Sequence, residues 1–290
     1  MTVTPHRALR STGSIGDIGS CATYVFAVCR ADHPGQLAAY GHAEGGPLRL
    51  LAVGPLCAVV QDVPAAEFSE AALRDRLADA SELERCARTH HDVVTAAAAG
   101  GPTVPLPLAT LYLGDERADA ALGENQERFR VALDHIAGRA EWAVKVYLTQ
   151  SDAEARSVLP AAPQTPAPDS RSGAQRVSGR DYMNRLRSRR NLREVHRENA
   201  LAASEQVDRV VREMAVDSVR RRPHGPEVTG KDRIQVLNAA YLIAENRSGE
   251  LAAAIGLLRD SADFNGTEID VSGPWAPYSF TDGGDLARNQ

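Results

Sequence analysis

The sequence predicts an α+β fold in two domains. Its 290 residues suffice for two domains of moderate size, and its 43% apolar residues suffice for a core in each. Short runs of strand character alternate with longer helical segments that begin at capping residues. From Glu141 onward the predicted order is strand, helix, strand, strand, helix, strand, which is the βαββαβ order of a ferredoxin-like domain.

Composition and turn signals predict the domain boundaries. Glycines, serines and threonines in residues 1–20 are typical of a disordered tail, and the prolines, alanines and serines of 160–177 are typical of a flexible insertion. We expect an N-terminal mixed α+β domain over 21–139, a ferredoxin-like domain with a long helix over 140–280, and a tail over 281–290.

In the first domain, apolar runs predict a strand at 22–29 and a hairpin of 49–53 and 56–63 that Gly54-Pro55 closes. The remaining predicted elements are a helix introduced by Ser69, a helix from the capping box Ser81-x-x-Glu84 to Gly100-Gly101, an extended segment at 103–110, and a helix over 115–137 broken near Gly123.

In the second domain, the alternation of EWAVKVYL predicts a strand at 141–148. The remaining predicted elements are a long helix from the capping box Ser178-x-x-Asp181 to about Met214, strands near 215–221 and over 234–243, a helix over 248–260, and a strand into Val271.

Charge, cysteines and hydropathy limit the function classes. A net charge of −5 argues against a general nucleic-acid binder. The spacing of Cys21, Cys29, Cys57 and Cys86 fits neither a metal knuckle nor a disulfide framework, and Cys29 and Cys57 are typical of small buried hydrophobes. No apolar run approaches the roughly 20 residues that cross a bilayer. We therefore expect a reduced, cytoplasmic protein without a membrane partner.

The most tempting catalytic cluster is His90-His91-Asp92. On a helix, His90 shares the apolar face with Cys86 and Val94 while Asp92 points to the opposite side, so the three cannot converge on one atom. A zinc pair on a helix needs i, i+4 spacing, and the glycines match no dinucleotide, phosphate-loop or nucleophile-elbow motif. We interpret His90 as a core or interface histidine, and we predict no enzyme, no metal and no cofactor.

The long helix carries a stripe of arginines, Arg185, Arg189, Arg193 and Arg197, which recur every four residues. By helical angle the stripe continues the face that carries apolar residues at the end of the helix, so we infer that the middle of the helix leaves the domain core. The stripe is either solvated or docked on an acidic partner surface. Nucleic acid is a third alternative, although no aromatic residues interleave the arginines for stacking.

The segment 271–280 places Trp275, Tyr278 and Phe280 among two prolines and a glycine, in a chain with only 5% aromatic residues. Glycine and proline exclude a helix there and fix an extended path that ends in a turn. The favoured interpretation is structural closure, with the rings folded back over the domain, rather than a binding groove.

Taken in order, these segments resemble the gas vesicle accessory protein family GvpF/GvpL, from about Ala22 to Phe280. The resemblance rests on TYVFAV at 23–28, VVQDVP at 59–64, ARTHHDVV at 87–94, VPLPLAT at 104–110, EWAVKV at 141–146, SGRDY at 178–182, NAAYLI at 238–243 and GPWAPYSF at 273–280. The motif residues expected to be structural are His90, Trp142, Tyr182, Tyr241, Gly273, Pro274, Trp275, Pro277, Tyr278 and Phe280. The family usually has an arginine and then an aromatic where this chain has Pro107 and Leu108.

The resemblance implies a non-enzymatic protein that helps to build gas vesicles, the protein-shelled, gas-filled organelles that give buoyancy. It implies binding to the small hydrophobic shell protein and to other accessory proteins, without nucleic acid. We expect the first domain to carry the shell-protein surface, and Trp275, Tyr278 and Phe280 to brace the second. The alternatives are a minor structural component of the mature shell, or a binding module that uses the arginine helix for nucleic acid or an acidic partner.

Overall fold

The structure, a computed structural model, divides into two compact units with the boundary between Leu133 and Asp134. Each unit contains one antiparallel sheet accompanied by helices, so the α+β class is confirmed. The residues that the structure describes are 21–34, 37, 39–149, 179–225, 233–264 and 266–281. The predicted tail over 1–20, the predicted insertion over 160–177 and the capping residue Ser178 lie outside them.

The strands of the first unit are β1 Cys21–Arg30, β2 Arg49–Val53, β3 Leu56–Pro64, β4 Thr103–Pro105 and β5 Leu111–Tyr112. They form a sheet in the order β2–β3–β1–β4, and β5 also pairs with β1. The predicted hairpin is confirmed, since β2 and β3 are antiparallel and Val53 lies opposite Leu56. β1 is buried along all but its two end residues, which explains why its sequence is a continuous apolar run.

The helices of the first unit are α1 Glu70–Ala78, α2 Ala80–Ala98, α3 Asp115–Gly123 and α4 Gln126–Ile136, the last of which ends three residues beyond the boundary. The side chain of Ser69 caps α1, and α2 ends before Gly100-Gly101, as predicted. The predicted helix over 115–137 is also confirmed, with its break after Gly123. The segment at 103–110 is extended only as far as Pro105.

The predicted capping box at Ser81 and Glu84 is wrong. Helix α2 begins at Ala80, and Asp79 caps it by accepting hydrogen bonds from the backbone N–H groups of Ser81 at 3.0 Å and Glu82 at 2.9 Å. A carboxylate at this position satisfies two of the unpaired N–H groups and interacts favourably with the positive end of the helix dipole. Ser81 is therefore inside the helix rather than before it.

The elements of the second unit are β6 Arg139–Thr149, α5 Gly179–Met214, β7 Ala215–Arg220, β8 Arg233–Ala244, a 3₁₀ turn at Glu245–Arg247, α6 Ser248–Asp260, a 3₁₀ turn at Ala262–Phe264 and β9 Thr267–Trp275. The four strands form an antiparallel sheet in the order β7–β8–β6–β9. The last strand does not end at Val271 as predicted but continues to Trp275. Pro274 is tolerated because it lies beside a bulge on a strand at the edge of the described sheet.

The core of the second unit lies between one face of this sheet and the helices α5 and α6. Its fully buried members include Val144, Tyr241, Ile243, Val207, Val211, Leu251 and Ile255. The described core residues of α5 begin at Ala203, in the second half of the helix. The described side chains of the first half therefore gain nothing from apolar burial in this core.

Candidate functional site

The segment that closes the second unit, residues 273–280, begins with a β-bulge. Gly273 and Pro274 together lie opposite the single residue Trp142 on β6, so the strand bends at this point. Gly273 has a φ of +143°, and a β-carbon there would lie 2.8 Å from the carbonyl oxygen of Glu141. Only glycine fits this position, which makes the glycine of the GPWAPYSF motif a structural requirement.

A buried carboxylate ties the closing segment to the sheet. Glu141 is 6% exposed, and its two oxygens accept hydrogen bonds from the backbone N–H of Ser279 at 2.8 Å and from its hydroxyl at 2.5 Å. The guanidinium of Arg221 lies 3.6 Å from the same carboxylate and donates to the Ser279 hydroxyl oxygen. A carboxylate is stable in such a place only when it is paired and hydrogen-bonded. Glu141, Ser279 and Arg221 therefore form a polar cluster that joins the EWAVKV strand to the closing motif.

The aromatic rings of the closing segment are only partly buried. Trp275 is 43% exposed and Tyr278 is 37% exposed, whereas Phe280 is half-buried. The chain between the two exposed rings is anchored by the buried Ala276 and Pro277. The backbone, the small residues and Ser279 contribute to the anchoring of this segment, and bracing by the rings stays a prediction.

Tyr241 fixes the second half of α5 on the sheet. Its hydroxyl donates to Asp208 Oδ1 at 2.5 Å, and Oδ2 of the same carboxylate accepts from Arg212 and Arg220, each at 2.9 Å. Burial acts to raise the pKa of Asp208, but the Tyr241 hydroxyl and the two guanidinium groups outweigh it and hold this pKa below its ordinary value. Burial, together with the neighbouring carboxylate, raises the pKa of Tyr241, so its hydroxyl stays protonated as a donor.

His90 links helix α2 to two other segments of the first unit. Its Nε2 lies 3.0 Å from the carbonyl oxygen of Leu106, which can only accept, so Nε2 carries the proton. Nδ1 then accepts from the Tyr24 hydroxyl at 3.1 Å, and this hydroxyl accepts from the backbone N–H of Ala109 at 2.9 Å. Burial lowers the pKa of His90 to about 4, so the ring is neutral at pH 7. Both ring nitrogens are used in structural hydrogen bonds.

The neighbours of His90 in the sequence do not join it in a catalytic cluster. His91 Nε2 lies 3.5 Å from the Thr95 hydroxyl on the same helix, and Asp92 is exposed. In the described part of the chain, no group of three or more histidine, cysteine, aspartate or glutamate residues is placed to hold a metal ion.

A second histidine, His42, lies inside the aromatic cluster of the first unit. Its ring centroid is 4.7 Å from that of Tyr24 and 5.2 Å from that of Phe68. Neither ring nitrogen has a hydrogen-bond partner among the described residues, although the side chain is 2% exposed. Burial lowers the pKa of His42 to about 4, with Glu44 opposing this effect. The site therefore holds a neutral ring.

Helix α5 projects beyond the described core of its unit. Its 36 residues make it about 54 Å long, and Ala200 is the first residue along it that the structure describes as buried. Before that residue, Met183 is 50% exposed, Leu186 41% and Val195 48%. The inference that the middle of this helix leaves the core is confirmed for these positions.

The arginine stripe lies on this projecting part of α5. Arg197 is exposed, as are Arg187 and Arg190 beside the stripe. The other three arginines of the stripe, Arg185, Arg189 and Arg193, are also on this helix, as is the motif residue Tyr182. The side chains of these four residues lie outside the described part of the structure. Between 179 and 199 the helix contains seven arginines against three acidic residues, so this part is basic in an acidic chain.

The comparisons with known proteins identify the family. A family model described as "Gas vesicle synthesis protein GvpL/GvpF" matches residues 22–282. The chain belongs to this family. The resemblance recognised in the sequence is therefore confirmed, and it extends through both units.

Curated relatives agree with this family. The chain is 36% identical to gas vesicle protein L of Streptomyces sp. strain CB03234 over 258 residues, which cover 89% of this chain and 91% of the relative. It is 25% identical to gas vesicle protein F of the same strain over 263 residues, 90% of this chain and 100% of the relative. Identity to gas vesicle protein L1 of Halobacterium salinarum is 24% over 207 residues, 70% and 72% of the two chains.

Two crystal structures of gas vesicle protein GvpF are similar to this fold. The protein from Anabaena sp. PCC7120 aligns with a TM-score of 0.60 over 90% of this chain and 96% of its own. The protein from Microcystis aeruginosa aligns with a TM-score of 0.57 over 90% and 98%. Each is 16% identical to this member of the GvpL/GvpF family, so the likeness concerns the fold alone.

The partners that hold the motif residues in place were not predicted from the sequence. Tyr24 carries a hydroxyl in a mostly apolar strand, and a buried tyrosine hydroxyl needs a hydrogen-bond partner. A histidine on the apolar face of α2 has the same need, so a hydrogen bond between Tyr24 and His90 could have been predicted from the sequence. The contact of Glu141 with Ser279 spans 138 positions, and no local pattern indicates it.

Proposed function

We propose that this protein is a non-enzymatic accessory protein of gas vesicle assembly, which binds the small hydrophobic shell protein and other accessory proteins. The observation that carries this proposal is the match of the family model to residues 22–282, through both units. The structural use of both nitrogens of His90 supports a role without catalysis. No described helix is long and apolar enough to cross a bilayer.

The physical need for such a binder follows from the shell subunit that the family resemblance implies. A subunit that will bury an apolar face against gas exposes that face before assembly, and an exposed apolar patch promotes aggregation. A second protein can cover it by adding a strand to a sheet edge or by receiving a helix in a groove. We assign this task to the first unit, where β2 pairs with β3 alone among the described strands.

Strand β2 offers an edge that can be tested by substitution. Ala52 on this strand is exposed, and a charged side chain on an edge strand opposes the addition of a further strand. We expect Ala52→Lys to reduce the amount of shell protein that co-purifies with the tagged full-length chain. The matched control is Ala78→Lys, which adds the same charge at an exposed alanine on α1. Equal binding by both variants, with normal melting, would exclude the β2 edge as the binding surface.

We assign the second unit to the ferredoxin-like class. Its described elements follow the order strand, helix, strand, strand, helix, strand, and its sheet order β7–β8–β6–β9 agrees with that assignment. In this unit the closing segment is the brace, with Glu141 and Ser279 as its polar anchor.

The projecting half of α5 is the second proposed contact surface, for an acidic face of another gas vesicle accessory protein. The exposure of Arg187, Arg190 and Arg197 favours docking of a partner with opposite charge. Replacing all three with glutamate is expected to abolish capture of that partner while leaving shell-protein binding unchanged. Salt-sensitive retention on heparin that the wild type shows and the variant loses would favour nucleic acid instead.

The alternative role is that of a minor component of the mature shell, and the location of the protein distinguishes it from an assembly role. An assembly factor is expected to remain in the lysate and to be absent from purified vesicles that have been washed with urea. Retention in washed vesicles at a fixed ratio to the shell protein would favour the structural role.

A further inference from the structure

Two cysteines lie directly opposite each other in the first sheet. Cys29 on β1 and Cys57 on β3 are paired residues of the antiparallel ladder. Opposed residues in such a ladder have α-carbons about 4.5–5.5 Å apart, which is within the range of about 4.4–6.8 Å that a disulfide spans. Their side chains also point to the same face of the sheet.

Hydrogen bonds to neighbouring groups hold each of the two thiols in place. The Cys57 thiol donates to the carbonyl oxygen of Arg30 at 3.0 Å, and Cys29 Sγ lies 3.4 Å from the Thr103 hydroxyl. Both side chains are buried, at 0% and 5% exposure, so their mutual orientation is fixed by packing.

The two thiols differ in their access to solvent. Cys57 is 5% exposed and Cys29 is 0% exposed, so a small oxidant reaches the Cys57 sulfur first. The neighbouring Cys29 thiol also lowers the pKa of Cys57, against the effects of burial and of Asp32. Since the thiolate is the nucleophile, Cys57 is the thiol that reacts first and Cys29 is the one that resolves the product.

We propose that Cys29 and Cys57 form an oxidation site, a dithiol that a peroxide converts to a cross-strand disulfide. The Cys57 thiolate attacks one oxygen of hydrogen peroxide, the O–O bond breaks, and a sulfenic acid and hydroxide form. The Cys29 sulfur then attacks the Cys57 sulfur, the S–O bond breaks, and the S–S bond forms. The Cys29 proton and the departing hydroxyl leave as water, so two thiols and one peroxide give one disulfide and two waters.

The chain contains its own controls for this site. Cys86 is buried on α2 outside the cysteine pair, and it tests whether burial alone determines reaction with a small oxidant. Cys21 is exposed and would form disulfides between molecules, so the experiment uses the full-length chain with Cys21→Ser.

The test is peroxide treatment, quenching with catalase, denaturation, alkylation and mass spectrometry. The expected result is the loss of two hydrogen atoms, one linked pair of peptides containing positions 29 and 57, full alkylation of Cys86, and reversal by dithiothreitol. Adding Cys29→Ser is expected to stop the reaction at a sulfenic acid on Cys57, which dimedone traps. Alkylation of both paired cysteines after treatment, or oxidation of Cys86 at the same rate, would overturn the proposal. The linked peptides are decisive even if the double variant fails to fold.

Discussion

Acidification is expected to unfold the first unit through two buried histidines. Burial lowers the pKa of His42 and of His90 from 6.5 to about 4, so the folded unit excludes protons that the unfolded chain binds. Stability is therefore fully present above pH 6.5 and is lost as the pH falls from 6.5 towards 4. Each shift corresponds to about 3 kcal/mol of unfolding free energy, at about 1.4 kcal/mol per pKa unit.

Together the two histidines account for about 6 kcal/mol, which is comparable to the total stability of a small domain. The measurement is hydrogen exchange of peptides from β1 and α2 between pH 7 and pH 4, corrected for the intrinsic pH dependence of exchange. Tryptophan fluorescence follows the second unit separately, since Trp142 and Trp275 both belong to it.

Two substitutions test the cause of this pH dependence. In His90→Gln the amide can still donate to Leu106 and accept from Tyr24 without titrating, and His42→Phe replaces a ring whose nitrogens have no described partner. Each is expected to remove about half of the pH dependence. His91→Gln, at a half-buried histidine on the same helix, is the matched control. An unchanged pH profile in the double variant would refute the reasoning.

Three further predictions concern the second unit. Gly273→Ala is expected to lose about 2–4 kcal/mol, because its β-carbon would lie 2.8 Å from a facing carbonyl oxygen at a φ of +143°, whereas Gly249→Ala has open space. Urea titration by tryptophan fluorescence compares them, and equal stability would contradict the bulge argument. Tyr241→Phe removes the buried hydroxyl that donates to Asp208 and is expected to lower the free energy of unfolding by about 1–3 kcal/mol in the same assay. Unchanged stability would show that this hydrogen bond does not stabilise the unit. Deleting 273–280 is expected to lower the melting temperature, and unchanged melting with lost assembly would overturn the bracing role.

The sequence predicted well wherever local pattern determines structure. The alternation of EWAVKVYL fixed β6, and Gly100-Gly101 fixed the end of α2, because side-chain periodicity and helix termination act over a few residues. The N-cap of α2 was predicted wrongly because Ser81 and Asp79 are both good caps, and only the backbone path decides between them.

The contacts that build the closing cluster of the second unit could not be predicted from local sequence patterns. Glu141 can be buried because Ser279 and Arg221, which are distant in the sequence, contact its carboxylate. The spacing of these three residues follows no periodic pattern from which the contacts could be predicted. The exposure of Trp275 was also unexpected, since the composition of the closing segment is equally compatible with a ring folded inward.

The central claim, that this protein assists gas vesicle assembly by binding the shell protein, is tested most directly by co-expression. The measurement is the soluble fraction of the small shell protein with and without this chain, together with co-elution of the two by size-exclusion chromatography. A several-fold rise in soluble shell protein and a shared elution peak are expected. Shell protein that stays insoluble, with this chain folded and eluting alone, would contradict it.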